Sequence, residues 1–181
     1  MCSELSAKGH VFWLFGLSGA GKTTLANLMA GALRQRGLPV LTLDGDSLRA
    51  GLCAGLGFTE AGRTENLRRA AEVARLAVDS GLIVFASFIT PLQEQRHLVS
   101  SIIGADSLSF IFLQAPLATC QHRDVKGLYK QARSGQVGQM TGVTSPFEEP
   151  EQADLTLETA TLLPEACLSR LLAHAEQRLG P

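Results

Sequence analysis

Apolar positions along this chain fall into two rhythms. Short unbroken runs, "HVFWLF" (10–15), "PVLTL" (39–43), "LIVFASF" (82–88) and "LSFIFLQ" (108–114), have the length of strands buried on both faces. A weaker fifth run, "ADLTLE" (153–158), follows. Between them the apolar residues recur every three to four positions. Residues 22–36 place Leu25, Leu28, Met29, Ala32 and Leu33 on one helical face, with Gly37 as terminator. Residues 63–80 align Leu67, Ala70, Ala71, Ala74, Ala77 and Val78, closed by Gly81, and Pro164 opens a last helix carrying Cys167, Leu168, Leu171, Leu172 and Ala175. Alternating strands and helices predict an α/β fold: about five parallel strands, right-handed crossovers and helices on both faces, with ligands at the carboxyl ends of the strands.

The stretch 124–150, "DVKGLYKQARSGQVGQMTGVTSPFEEP", has neither rhythm. Its basic start and glycine-rich middle read as a partly helical lid, with a passive surface loop as the alternative. The 181 residues suit one domain, 1–181, large enough to bury roughly 70% of the unfolded chain's surface. A net charge of −1 argues against a nucleic-acid polymer or a membrane as partner, while leaving room for a small anionic ligand. Cys2, Cys53, Cys120 and Cys167 form no C-x-x-C pair, and His10, His97, His122 and His174 show no ligand spacing. Idle thiols, an N-terminus without a long apolar core and no run of membrane-spanning length make the cytoplasm the expected location.

Chemistry enters with "GLSGAGKTT" (16–24), which fits G-x-x-x-x-G-K-[ST] and stands where that pattern has meaning, after a strand and at the start of a helix. Its glycines let backbone N–H groups point inward at a phosphate chain, and the helix dipole adds positive potential. Gly16, Ser18, Gly19, Ala20, Gly21, Lys22, Thr23 and Thr24 are thus the candidate nucleotide-binding residues. Lys22 reaches the β- and γ-phosphates, and the Thr23 hydroxyl ligates Mg²⁺. No guanine-reading N-K-x-D or T-K-x-D and no second ATPase motif appears, which disfavours a switch GTPase or a motor and favours a small phosphotransferase.

An acceptor side is suggested by "TLDGDSLRAGL" (42–52). Asp46 is placed to orient a hydroxyl and take its proton; the alternative is that Asp44 or Asp46 only caps the next helix. Arg49, Arg63 and Asn66 suit an acceptor bearing an anion. Phe58 is either core or a stacking wall for a base, and Arg68, Arg69 and Arg75 read as a solvated face.

"GLSGAGKTTLA", "LDGDSLRAGL", "LGFTEAGRTENLRRAAEVA", "SFITP", "RDVKGLYKQARSG" and "TGV" together resemble the adenylyl-sulfate kinase family over nearly the whole chain. That resemblance implies a three-layer P-loop NTPase fold and transfer of the γ-phosphoryl of MgATP to the 3′-hydroxyl of adenylyl sulfate. It places Asp46 and Arg49 on the acceptor, with Asp46 nearest the 3′-hydroxyl, and Phe58, Arg63 and Asn66 around its base and phosphosulfate. Ile89 and Thr90 line the same pocket. Thr90, at the place of a family serine proposed to form a phosphoenzyme, joins Lys22 and Asp46 as a catalytic candidate, with direct in-line transfer as the expected route. Lys126 reaches the acceptor's anionic groups, and Arg123 lies over the ATP adenine. Asp44 supports the Mg²⁺ shell beside Thr23. Kinases of this kind commonly dimerise, so a homodimer is implied. The chain departs from the family pattern on this side: Ser47 follows D-G-D where asparagine is usual, Thr90 replaces the serine of F-I-S-P, and "GQMTGV" stands where the family reads K-G-F-T-G-I, so that Gly138 and Met140 replace a lysine and a phenylalanine. The phenylalanine would stack on the acceptor's adenine; Met140 covers a ring by sulfur–aromatic contact. Because these departures gather on the acceptor side, the alternative acceptor is another anionic nucleotide phosphorylated on its ribose, as in cytidine diphosphoramidate kinases.

Overall fold

The computed structural model describes residues 9–125, 127–134 and 138–180. Strand β1 (His10–Phe15) leads through the glycine-rich loop into helix α1 (Lys22–Gln35) and strand β2 (Val40–Asp44). Helices α2 (Gly45–Ala50) and α3 (Glu60–Asp79), strand β3 (Ile83–Ser87), helix α4 (Gln93–Ile103) and strand β4 (Leu108–Gln114) follow. Helices α5 (Leu117–Arg123) and α6 (Leu128–Arg133), strand β5 (Leu155–Glu158) and helix α7 (Pro164–Leu179) complete the chain.

The strands form one parallel sheet in the order β2-β3-β1-β4-β5. Side chains alternate across β1, so Phe12 and Leu14 join one core with α1, α7, Cys120 and Tyr129. Val11, Trp13 and Phe15 join a second core with α3 and α4. Helices therefore cover both faces, as the apolar rhythm predicts.

All five strands fall where the sequence places them, within two residues. Helix α3 begins at Glu60, three residues before the predicted start, because the Thr59 side chain accepts from the Gly62 N–H and caps it. Helix α4 is not legible in the apolar pattern: of its four buried residues, Gln95 and Arg96 are polar and only Val99 and Ile103 are apolar. The strand order inserts β3 between β1 and β2. Register then places Ser87 between Leu14 of β1 and Asp44 of β2 at the carboxyl edge of the sheet. No helix among the described residues is long and apolar enough to cross a membrane.

Candidate active site

The glycine-rich loop satisfies its carbonyls outward. Lys22 Nζ donates to the Leu17 carbonyl at 2.7 Å and the Gly16 carbonyl at 3.0 Å. The Tyr129 hydroxyl donates to Ser18 O at 3.0 Å, Arg123 Nη1 to Gly19 O at 3.3 Å, and Thr159 Oγ1 to Ala20 O at 2.9 Å. Three elements distant in sequence thus hold the loop by its oxygens, the arrangement that turns N–H groups toward an anion. Gly16 has φ +141°, and a Cβ there would lie 2.5 Å from the Leu113 carbonyl oxygen, so only glycine lets the chain turn off β1 here. Burial pushes the Tyr129 phenol well above its ordinary value, which keeps it a donor. Neither Tyr129 nor Thr159 is named by the motif. The signal for Tyr129 was its place as the only tyrosine of the chain, inside the "RDVKGLYKQAR" block.

Asp44, at the end of β2, serves two partners. One carboxylate oxygen caps α2, accepting from Asp46 N at 3.0 Å and Ser47 N at 3.4 Å; the other accepts from Thr23 Oγ1 at 2.8 Å. The capping reading of the D-G-D turn therefore holds for Asp44, and the same side chain also reaches the P-loop threonine. Among the described residues no three carboxylate, imidazole or thiol groups cluster as a metal site. This hydroxyl–carboxylate pair suits an ion carried mainly by phosphates.

On the far side, Arg49 donates to the Leu56 and Gly57 carbonyls and lies 4.4 Å over the Phe58 ring. Phe58 is 64% exposed, so it is a wall and not core. Arg63 spreads its guanidinium over Phe58 O (2.9 Å), Thr141 Oγ1 (2.6 Å) and Gln139 O (2.6 Å), tying α3 to the segment that carries Met140. Burial, with Arg49 nearby, lowers its pKa from the ordinary arginine value. Met140 is buried; its carbonyl accepts from Val143, Thr144 and Ser145, winding the loop about it. Asn66 Oδ1 and Ser87 Oγ are buried without a hydrogen-bond partner. An unpaired buried oxygen costs about 1–3 kcal/mol, a deficit that a polar ligand would relieve. Arg68, Arg69 and Arg75 pair with Glu65, Glu72 and Asp79 along α3, the solvated face expected of them.

One cavity of about 950 Å³ joins the two halves. Ser18 through Thr24, with Asp44 and Arg123, line it on the P-loop side. Asp46, Arg49, Phe58, Arg63, Asn66, Ile89, Thr90 and Met140 line it on the other. Of the predicted site residues, Gly16 touches it only indirectly, through the carbonyl that Lys22 holds, and Lys126 lies outside the described residues.

A parallel sheet whose first strand runs into a P-loop, with a second wall carrying Asp46, Arg49 and Arg63 in the same cavity, is the arrangement of a P-loop phosphotransferase. The adenylylsulphate kinase family model matches residues 8–158. The adenylyl-sulfate kinase of Aeromonas salmonicida is 47% identical over 176 residues, covering 97% of this chain and 90% of its own. That of Marinobacter nauticus is 43% identical over 171 residues, covering 94% and 86%. The structure of the Mycobacterium tuberculosis APS kinase CysC in complex with AMPPNP and APS superposes with a TM-score of 0.89. It shares 39% identity and covers 93% of this chain and 98% of that one. The chain belongs to the adenylyl-sulfate kinase family.

Proposed function

We propose that this protein is an adenylyl-sulfate kinase that moves the γ-phosphoryl of ATP onto the 3′-hydroxyl of adenylyl sulfate, releasing ADP and 3′-phosphoadenylyl sulfate. The observation that carries this reading is the continuous cavity, with a phosphate cradle at one end and Asp46, Arg49, Arg63 and Asn66 at the other. It fits the relative solved with an ATP analogue and APS together.

In this reading the N–H groups of Gly19 to Thr24 bind the ATP phosphates, and Lys22 exchanges its loop carbonyls for β- and γ-oxygens. Arg123, with Leu162, Pro164 and Cys167 at the apolar end of the cavity, receives the adenine of ATP. Thr23 and Asp44 are the residues that would hold Mg²⁺, Asp44 through water. What the ion supplies when bound is neutralisation of phosphate charge. Asp46 takes the proton of the attacking 3′-hydroxyl. Phe58, its far face already under Arg49, offers a ring to the acceptor's base; Asn66 Oδ1 accepts from that base's amino group; Arg49 and Arg63 face the phosphosulfate, the anion to which the family resemblance also assigns Lys126. Residues 124–150 act as the lid that excludes water. Thr90 Oγ1 accepts the Trp13 indole N–H at 2.8 Å, a bond that opposes attack by this oxygen, so phosphoryl passes directly from ATP to acceptor.

Of the departures, Thr90, Gly138 and Met140 line the cavity, while Ser47 does not and meets Asp44 through its backbone N–H; three changes in the lining make the acceptor's identity the point to test. Purified protein given radiolabelled ATP and a panel of nucleotides is expected to turn over adenylyl sulfate at micromolar concentration. It should ignore cytidine diphosphate derivatives. Preference for another ribose nucleotide would move the reading to the alternative acceptor.

A further inference from the structure

Trp13 sits in the middle of β1 with 0% exposure and does not line the cavity, yet two of its contacts reach residues that do. Its indole face stacks on Phe88, ring centroids 4.9 Å apart at 21°, and its Nε1–H donates to Thr90 Oγ1 at 2.8 Å. Phe88 in turn lies against the D-G-D turn: a Cβ on Gly45 would come within 3.3 Å of its ring, so that turn and the ring are in direct contact. Thr90, at φ +44°, is the one non-glycine residue among those described that lies in the left-handed region, and it is 1% exposed. A β-branched residue in that region is a true outlier, held only where its surroundings over-determine it.

The surroundings are visible. Trp13 grips the Thr90 side chain, while Arg96, buried on α4, donates through Nη1 to the carbonyls of Thr90 (3.1 Å) and Pro91 (3.2 Å). The Arg96 guanidinium is fixed by Gln93 Oε1 and by the Phe15 ring, 5.4 Å away. Gly16 N donates to Ile89 O at 3.3 Å and Phe88 N to Leu14 O at 3.1 Å, so the same four residues, 88–91, are also tied to β1 and the P-loop. All four line the same cavity as Asp46.

We infer that Trp13 is a positioning residue for the acceptor: through Thr90 and Phe88 it sets the distance between the 88–91 wall and the turn carrying Asp46. The inference rests on the kinase reading above and adds to it a residue that touches neither nucleotide. It makes selective demands. Loss of the indole N–H should disturb the acceptor end, since the P-loop's own oxygens are held by Lys22, Tyr129, Arg123 and Thr159.

Trp13→Phe keeps a ring on Phe88 and deletes only the donor. The expected result is a KM for adenylyl sulfate raised about tenfold, the scale of one buried hydrogen bond, with the KM for ATP unchanged. Thr90→Val deletes the acceptor oxygen instead, and the double variant should be no worse than either single one, the mark of two groups acting as a unit. Trp13 is also the only tryptophan of the chain. In the unmodified protein its emission should therefore change when adenylyl sulfate is added with ADP, and stay constant with a non-hydrolysable ATP analogue alone. Equal changes in both KM values, or none, overturn the inference, as does a tryptophan signal blind to adenylyl sulfate. If Trp13→Phe does not fold, the emission titration decides. An unmodified protein that does not phosphorylate adenylyl sulfate defeats the kinase reading, and this inference with it. An active unmodified protein with an unaltered Trp13→Phe defeats the positioning role alone.

Discussion

Asp44 and Asp46 stand one residue apart and have different work. Asp44 gives one oxygen to the N-terminus of α2 and the other to Thr23, so it ties a helix cap to the P-loop. Asp44→Ala should cost roughly 1 kcal/mol of stability from the lost cap and also weaken ATP binding, measured by urea unfolding and nucleotide titration. Asp46→Ala is expected to behave otherwise. With the cap intact, the fold and ATP affinity stay, and kcat falls by about 10²–10⁴-fold, the usual worth of a placed general base. Full turnover in that variant would remove Asp46 from the chemistry. The sequence presented both carboxylates with two roles open, and spacing did not divide them. The division came from the strand end, which turns Asp44 toward Thr23.

At the scale of elements, Arg63 is the join between α3 and the segment 138–141. Its three hydrogen bonds end on Phe58, Thr141 and Gln139, so it braces the wall it was expected to line. Removing it as Arg63→Ala should let that segment open. Amide hydrogen exchange of residues 138–145 should quicken, and the KM for adenylyl sulfate should rise tenfold or more, with the KM for ATP little changed. Unaltered exchange would show that the tie is dispensable. That arginine and its helix were legible, since the apolar stripe of α3 runs clean from Leu67 to Ala77. The partner segment was not, because residues around Met140 are ordered by one carbonyl accepting three N–H groups, a pattern no periodicity announces. Helix α4 escaped for a related reason. Its inner face holds Arg96 and Gln95, which satisfy loop carbonyls and Thr64, so polarity hid a buried surface.

Across the whole molecule, the alternation of β1 into two cores was readable from five apolar residues in a row, but the strand order was not. Nothing local in "LIVFASF" says that it inserts between the first two strands. The two cores also differ in what they tolerate. Beside the core shared by β1, α1 and α7 lies the ring of His174 on α7, whose Nε2 is buried without a hydrogen-bond partner and which meets Phe12 edge-on at 6.2 Å. Burial, helped by Arg178, pushes its pKa below the ordinary histidine value, against a smaller opposite pull from Asp154. An unfolded chain takes up this proton near pH 6.5, while the folded chain refuses it until lower pH, so unfolding binds a proton in between. Stability from His174 is therefore complete above about pH 6.5 and is lost as pH falls through that value toward the folded pKa. Urea midpoints measured at about pH 7.5 and 5.5 should show a loss on acidification that is smaller in His174→Leu, which keeps an apolar side chain against Phe12 and has no proton to take up. Exposed His97 and His122 are shared by both proteins and cancel in the comparison. Equal losses in the two would mean that the ring is protonated as readily folded as unfolded, and that this core is open to water where α7 crosses Phe12.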